Sequence, residues 1–293
     1  MDKYINCISH TSSEGNLLVG DTHTALIDCG MAFCAKDTIR KVKNVIKKRP
    51  LDYIFLSHTH YDHIGALPFF KKEWPKLRTV TSAIGAEILL KETPRRIIRE
   101  LSLVAAKYYD KKIGSAYNDD VFKGDIIVKD GDSISLGDIT ANVLETPGHT
   151  RDSLSFFIPE LELLILNETF GVLMPDSSIC PCYLISYAAT VNSIEKCKKI
   201  PYKFLSLPHR GIVSNEEANN FFDKSLASIN ACRDFILKMK KDGLSEDEME
   251  DLLFKEGASE MLLNFQPKEA FKVNARAMIL CTLREEGLQC RTR

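Results

Sequence analysis

The sequence predicts a mixed α/β fold, and three features of its pattern support that prediction. Up to residue 213, short apolar runs of strand length alternate with amphipathic helical segments. Turn residues separate the runs, as in Asp130–Gly131–Asp132. From Ser214 onward the pattern is helical only. We therefore expect an α/β domain over residues 1–213 and a helical C-terminal extension over residues 214–293.

The predicted strands are short runs rich in β-branched and aromatic residues, as expected for a half-buried sheet. They cover Tyr4–Ile8, Leu17–Val19, Thr24–Asp28, Asp52–Leu56, Arg78–Thr81, Asp125–Val128, Ser133–Leu136, Thr140–Glu145, Ser153–Ile158, Leu163–Leu166 and Phe204–Leu207. The helices predicted between them are Lys36–Lys48, Ala66–Glu73, Ile84–Lys91, Arg95–Asp110 and Leu184–Lys198. In the first helix, Ile39, Val42 and Val45 form an apolar stripe and the lysines take the opposite face.

Three more helices are predicted in the C-terminal extension. Ser214 with Glu217 and Ser245 with Glu248 have the spacing of a capping box, so a helix is expected to begin at each serine. The first of these should end near Lys241, and the third covers Pro267–Glu286.

Composition excludes several classes of protein. Lys and Arg number 39 and Asp and Glu 40, so there is no excess of positive charge that would attract a polyanion such as nucleic acid. No stretch approaches the 18 apolar residues of a membrane span, and the first residues do not resemble a signal peptide. The nine cysteines have no regular spacing, so most should be reduced and partly buried. We expect a cytoplasmic protein.

Five of the seven histidines lie in three short stretches that follow predicted strands. The first stretch is His58-Thr59-His60-Tyr61-Asp62-His63, the second contains Gly148-His149, and the third contains Pro208-His209. Loops that follow strands converge at one edge of a sheet, where α/β proteins gather their functional groups. Gly148 should supply a tight backbone turn beside these groups.

Side-chain geometry favours a metal site. In an extended segment His58, His60 and Asp62 point to one side, while His63 begins the turn towards the next helix. Four ligands within six residues can serve two ions, and imidazole with carboxylate suits zinc, iron or manganese.

The order H-x-H-x-D-H, G-H and a final His resembles the metallo-β-lactamase superfamily over Tyr4 to Ile212. This resemblance implies an αββα sandwich, in which two sheets pack face to face with helices outside. It implies that His58, His60 and His149 hold one metal ion, and that Asp62, His63 and His209 hold a second. Two zinc ions are expected, with iron or manganese as alternatives.

The resemblance also implies a bridging carboxylate, and here the sequence departs from the family pattern. Glu168 stands where the family usually has Asp, and Asn167 where it usually has Gly. Glutamate is one methylene longer, so Glu168 either folds back to bridge both ions or binds only one of them. The identity of the metal is open for the same reason.

The function implied is hydrolysis of a small ester, thioester or lactone, as in glyoxalase II and lactonase relatives. A metal-bound water with its pKa lowered towards 7 supplies hydroxide for the attack. By analogy, Asp62 is the catalytic residue that orients this nucleophile and accepts a proton. The expected partner is a small-molecule substrate, with no membrane and no nucleic acid. A homodimer through the C-terminal helices is an open alternative.

Three other functions remain open. An iron redox protein is one, but flavodiiron proteins carry Glu where His60 stands and need a flavin domain, so His60 favours the hydrolase. A nuclease of the superfamily is the second, and non-catalytic metal binding is the third.

Residues near the predicted site have plainer interpretations. Cys180 and Cys182 are expected to pack in a loop rather than form a redox pair, and Tyr183 and Tyr187 to pack rather than bind substrate. The basic cluster of Arg95, Arg96 and Arg99 either attracts an anionic substrate or is a solvated helix face.

Overall fold

The computed structural model describes residues 4–10, 13–114, 117–214, 216, 220–257 and 268–288. The strands within these ranges are β1 (Ile5–His10), β2 (Ser13–Val19), β3 (Thr24–Ile27), β4 (Tyr53–Phe55), β5 (Arg78–Ser82), β6 (Ile126–Val128), β7 (Ser133–Ser135), β8 (Thr140–Glu145), β9 (Leu154–Ile158), β10 (Leu163–Ile165), β11 (Val172–Leu173), β12 (Ile179–Cys180), β13 (Phe204–Leu207) and β14 (Gly211–Ser214). The helices are α1 (Ala35–Ile46), α2 (Tyr61–Ile64), α3 (Leu67–Glu73), α4 (Ala83–Leu90), α5 (Glu92–Tyr108), α6 (Tyr187–Cys197), α7 (Phe221–Lys241), α8 (Glu246–Gly257) and α9 (Lys268–Glu285).

Two six-stranded sheets form the centre of the molecule. The first has the order β1-β2-β3-β4-β5-β6 and the second the order β14-β13-β10-β9-β8-β7, while β11 and β12 form a separate hairpin. Strands β3 to β6 run parallel, as do β10 and β13. Parallel strands end at the same edge, so the segments that follow β4, β10 and β13 are brought towards one side of the sandwich.

Alternation along the strands builds four layers. Ala25 and Ile27 of β3 point into an apolar cluster shared by both sheets, whereas Leu26 joins a second cluster with helices α1, α3 and α5. On the other sheet, Leu163 and Ile165 of β10 face the first sheet. Leu164 joins a third cluster with helices α6 to α9. The predicted αββα sandwich with a helical C-terminal region is confirmed.

The C-terminal helices pack on the outer face of the second sheet. Ile229, Met249 and Ile279 of α7, α8 and α9 share one apolar cluster with Leu205 of β13. The capping box at Ser245 is confirmed, because the Ser245 N–H donates to Glu248 Oε2 at 2.8 Å. Within the part of the chain that the structure describes, no helix is both long and apolar enough to cross a bilayer.

One sequence prediction near this junction is wrong. The helix expected from Ser214 begins instead at Phe221, because Gly211–Ser214 forms a strand. That strand pairs antiparallel with β13, and Leu207 lies opposite Gly211 across the intervening tight turn. Glu217, the other half of the predicted capping box, and Pro267, the predicted start of the third helix, lie outside the described residues.

The cysteines match the sequence prediction. Eight of them lie in the described part of the chain and all eight are free thiols; Cys290 lies outside it. Burial raises the pKa of Cys182 and Cys29 well above the usual thiol value, which keeps these side chains neutral and unreactive.

Asp125 provides a test of how the first sheet is held together. Its carboxylate pairs with Lys71 of α3 and accepts a hydrogen bond from the Thr79 N–H of β5 at 2.9 Å. Partial burial opposes ionisation, but the hydrogen bonds from Lys71 and Thr79 outweigh it and hold the pKa of Asp125 below its usual range.

We expect Asp125→Asn to lower the free energy of unfolding at pH 7 by about 1–3 kcal/mol, since it removes bonds to a charged acceptor. Because the folded-state pKa is the lower one, the stabilisation is complete above the unfolded pKa of about 3.9 and disappears as pH falls further. Urea unfolding of the unchanged protein and of Asp125→Asn between pH 7 and pH 3 measures this difference in the free energy of unfolding. The control Asp234→Asn alters a carboxylate that is 71% exposed and should change stability little.

Candidate metal centre

The structure brings all seven predicted metal-site residues together beside the carboxyl ends of the strands. Their ligand atoms form three overlapping groups, and within each group the atoms lie within 4.8 Å of one another. The groups are His58, His60 and His149; His58, His63 and Glu168; and Asp62, His63 and His209. The first and third are the two predicted triads, and the second joins them through Glu168.

The first triad is compact. His60 Nδ1 and His149 Nε2 face each other at 3.0 Å, and the ring of His58 lies at about a right angle to the His149 ring. Two nitrogens that bind one tetrahedral zinc ion at about 2.0–2.1 Å are roughly 3.3 Å apart. The spacing therefore suits two ligands of a common ion.

Glu168 lies between the triads and directs one oxygen to each. Its Oε1 is 2.7 Å from His63 Nε2 and 3.1 Å from His209 Nε2. Its Oε2 is 3.7 Å from His58 Nε2. The Glu168 carboxylate therefore reaches histidines of both triads, and its extra methylene does not keep it from either.

The buried polar atoms of the centre indicate that the residues fit a metal. His58 Nε2, His63 Nε2 and both Glu168 oxygens are buried, and none has a hydrogen-bond partner of acceptable geometry. Leaving such atoms unsatisfied costs roughly 1–3 kcal/mol each, so native proteins rarely do so. Imidazole nitrogens and carboxylate oxygens of this kind are the ligands that zinc, iron and manganese take in proteins.

A buried carboxylate orients two of the histidines, and sequence analysis missed it. Asp28 follows β3, and its Oδ2 lies 2.8 Å from His63 Nδ1 and accepts a hydrogen bond from Ser57 Oγ at 2.6 Å. Because the Ser57 hydroxyl donates to Asp28, it accepts from His58 Nδ1 at 3.0 Å. Both imidazoles therefore present Nε2 to the centre, as metal-binding histidines with a carboxylate behind them do.

The signal for Asp28 was present in the sequence. It is an acidic residue directly after a buried strand, within the stretch Leu26-Ile27-Asp28-Cys29-Gly30. The structure adds a second signal. The Asp28 φ of +58° is rare for a residue other than Gly, and strain of this kind is concentrated at functional sites.

His149 is held from the opposite sheet. Its Nδ1 donates to the backbone carbonyl of Cys182 at 2.9 Å, which leaves Nε2 for the centre. Gly148 precedes it with a φ of +151°, and an added Cβ would lie 2.1 Å from Thr190 Oγ1. The expected tight turn is confirmed, and only glycine fits it.

Asn167 anchors the short turn that carries Glu168. Its Oδ1 accepts from the Thr169 N–H at 2.9 Å, and its Nδ2 donates to Thr146 Oγ1 and to the Leu154 carbonyl, each at 2.9 Å. The side chain thus joins the loops after β8 and β10, which carry His149 and Glu168. This is the physical role of an asparagine at a position where the family pattern has glycine.

Asp62 and His63 adopt a different local conformation from the predicted one. The expected extended segment ends at His60, and Tyr61–Ile64 is a helical turn in which the N–H groups of His63 and Ile64 both donate to the His60 carbonyl. Asp62 still faces the centre, with Oδ2 3.5 Å from His63 Nε2. It is 21% exposed, so it lies at the accessible rim.

The histidines of the centre differ in the direction of their pKa shifts. Burial lowers the pKa of His58 well below its usual value and that of His149 to about 4, and neighbouring histidines add to both shifts. Burial also opposes protonation of His63, but Glu168, Asp62 and Asp28 outweigh it and hold its pKa above the usual value. Neutral imidazole is the form that binds a metal, so His58 and His149 are ready to do so at pH 7.

The remaining candidates have structural roles. Tyr183 is fully buried and its hydroxyl contacts Thr282 Oγ1 at 3.0 Å, while the Tyr187 hydroxyl donates to Asn230 at 2.7 Å. Both tyrosines therefore join the second sheet region to the C-terminal helices, as the packing interpretation predicts. Arg99 pairs with Asp119 at 2.9 Å on the surface.

Comparison with known proteins agrees with this geometry. A sequence profile described as the metallo-beta-lactamase superfamily matches residues 16–209, so the chain belongs to that superfamily. A metallo-beta-lactamase family protein from Thermus thermophilus has the same fold, with a TM-score of 0.63, 17% identity and coverage of 97% of this chain and 93% of that one.

Relatives with described activities fall into two groups. A nitric oxide reductase of Moorella thermoacetica is 30% identical over 155 residues, which cover 53% of this chain and 33% of that protein. A hydroxyacylglutathione hydrolase of Rhodopseudomonas palustris is 28% identical over 116 residues, which cover 40% of this chain and 32% of that protein. The chain thus spans about a third of the length of each of these relatives.

The hydrogen bonds of Asp28 provide a test of the centre. We expect Asp28→Asn to weaken zinc binding by about 10- to 100-fold, because the His63 ring loses the carboxylate that orients it. Competition with a chromophoric chelator measures the affinity.

The matched control is Asp52→Asn. Asp52 accepts from the Thr24 N–H at 2.9 Å at the amino ends of the same strands, away from the centre. Equal zinc affinity in Asp28→Asn and Asp52→Asn, with both proteins folded, would show that Asp28 does not support the ligands.

Proposed function

We propose that the protein is a metal-dependent hydrolase of a small ester, thioester or lactone. The observation that carries the proposal is the position of Glu168, whose two oxygens face different groups of histidines in one buried cluster. Two ions are proposed, with His58, His60 and His149 on one, Asp62, His63 and His209 on the other, and Glu168 on both. Zinc is the first choice because imidazole and carboxylate ligands are those of catalytic zinc sites that activate water.

The chain's own residues have separate tasks in this chemistry. When bound, the ions supply Lewis acidity and a water with a pKa lowered towards neutrality. Asp62 lies at the rim, partly exposed, where its carboxylate can orient a water and accept its proton. Asp28 and Ser57, buried beneath the histidines, keep the rings in one tautomer and exclude water from their far side.

The relatives support the choice of scissile bond. Hydroxyacylglutathione hydrolases of Rhodopseudomonas palustris and Bartonella henselae are among them, and their name describes cleavage of an acyl group from glutathione. A thioester is therefore the first substrate class to test. The free cysteines of the described region support a cytoplasmic setting for such an enzyme.

An iron redox protein is the second candidate, and the similarity to the nitric oxide reductase of Moorella thermoacetica favours it. His60 argues against it, because it completes an all-imidazole triad with His58 and His149. Imidazole alone does not distinguish zinc from iron, so the reaction must be measured.

A substrate panel tests the proposal. The purified protein is assayed with an acyl-glutathione thioester, aryl esters, lactones, an aryl phosphodiester and RNA. We expect turnover of one of the first three classes, lost on chelation and restored by zinc. His60→Ala should lower kcat/KM by more than about 100-fold, since it removes a ligand rather than its support. Cleavage of only the phosphodiester or RNA would identify a nuclease instead.

Variants of Glu168 test the bridge. Glu168→Asp keeps the charge and should retain activity, whereas Glu168→Gln should lose one ion and most turnover because an amide cannot replace a bridging carboxylate. Glu162→Gln, an exposed glutamate paired with Lys203, is the matched control. Full activity in Glu168→Gln would refute the bridging role.

A further inference from the structure

Exposed apolar side chains are concentrated on one part of the surface. Of the eleven large hydrophobic residues exposed in the described chain, seven lie between Ile84 and Tyr108, in α4 and α5. A soluble protein rarely gathers exposed apolar residues in this way unless something covers them.

The residues on α5 form a regular stripe. Ile97, Leu101, Val104 and Tyr108 are separated by four, three and four residues, so they follow one side of the helix. They are 46%, 42%, 63% and 51% exposed. This alternating spacing is that of a seam between two packed helices.

The inward side of α5 is a separate face. Ile98, Ser102 and Ala105 are buried against the rest of the molecule. The exposed stripe is therefore not needed for the packing of α5 onto its own domain.

Charges beside the stripe are self-complementary. Glu100 and Lys107 both follow the same flank of the stripe, seven residues apart. Lys107 has no ion pair among the residues that the structure describes, and Glu100 makes only a 3.7 Å contact with the exposed Arg96. When two identical helices pack antiparallel about a two-fold axis, the same flank of each lies on the same side, so an acidic and a basic residue can meet.

We propose that α5 packs antiparallel against α5 of a second copy of the chain. With the two-fold axis between Leu101 and Val104, Leu101 lies against the partner's Val104, and Ile97 lies against the partner's Tyr108. Glu100 then lies within one helical turn of the partner's Lys107. The paired residues run from Ile97 to Tyr108, so the seam between the two copies is about 18 Å long.

A second copy fits this surface better than a lipid bilayer does. A helix that binds a membrane surface is rich in Lys and Arg on its polar face. Here the acidic Glu100 borders the stripe and would be repelled by anionic lipid. Arg99 is paired with Asp119, so its positive charge is already neutralised within the chain. The C-terminal helices, by contrast, expose few large apolar residues within the described chain.

The oligomeric state of the full chain tests the proposal. Sedimentation equilibrium over a range of concentrations should show a dimer. Leu101→Asp should raise the dimer dissociation constant at least about tenfold, because each copy loses a buried leucine. The matched control is Val273→Asp, which places the same charge on an apolar residue of α9 that is 67% exposed. Circular dichroism and thermal melts establish that each variant is folded.

A charge exchange tests the antiparallel arrangement itself. Lys107→Glu alone and Glu100→Lys alone should each weaken the dimer, since each places like charges together across the interface. The double variant Glu100→Lys/Lys107→Glu should restore the dimer. The two positions exchange charge in both copies, so opposite charges again meet across the interface. A structural effect on α5 alone would not be reversed in this way.

Three results would overturn the proposal. One is a monomer at every concentration. Another is a dimer that Val273→Asp disrupts and Leu101→Asp leaves intact. The third is a monomer that sediments with phosphatidylglycerol vesicles and loses this binding in Leu101→Asp, which would make the surface a membrane contact.

Discussion

Burying a carboxylate costs several kcal/mol unless positive charge or a metal compensates for the lost water, and Glu168 is only 4% exposed. Its neighbours are imidazoles on three sides, and its oxygens face His63 and His209 in one direction and His58 in the other. The rest of the centre keeps this arrangement fixed. Asn167 holds the turn that carries Glu168, and Asp28 sets the His63 ring against it.

The packing of the two sheets brings the residues of this cluster together from distant parts of the chain. His58, His60 and His63 follow β4 of the first sheet, whereas Glu168 and His209 follow β10 and β13 of the second. The apolar cluster between the sheets fixes the distance between these strand ends. A small displacement of one sheet would separate Glu168 from His58 and His63, so the core packing and the site geometry depend on each other.

Much of this could be predicted from sequence, because strand ends and histidine spacing are local features. Runs such as Thr140–Glu145 and Phe204–Leu207 match their strands. Every ligand that the histidine stretches or the family resemblance predicted lies in the cluster. The features that were missed depend on distant partners. The β14 strand exists because β13 pairs with it, and Asp28 matters because it reaches His63, 35 residues away in the chain. The helical turn at Asp62 was missed because ligands two residues apart also fit an extended segment.

The most direct test of the account is the metal content of the protein purified without chelator, measured by elemental mass spectrometry. We expect close to two metal ions per chain, with zinc as the main element, and close to one in Glu168→Gln. One ion per chain in both proteins would contradict the bridging position of Glu168. Two ions of iron per chain would instead favour redox chemistry over hydrolysis at the same residues.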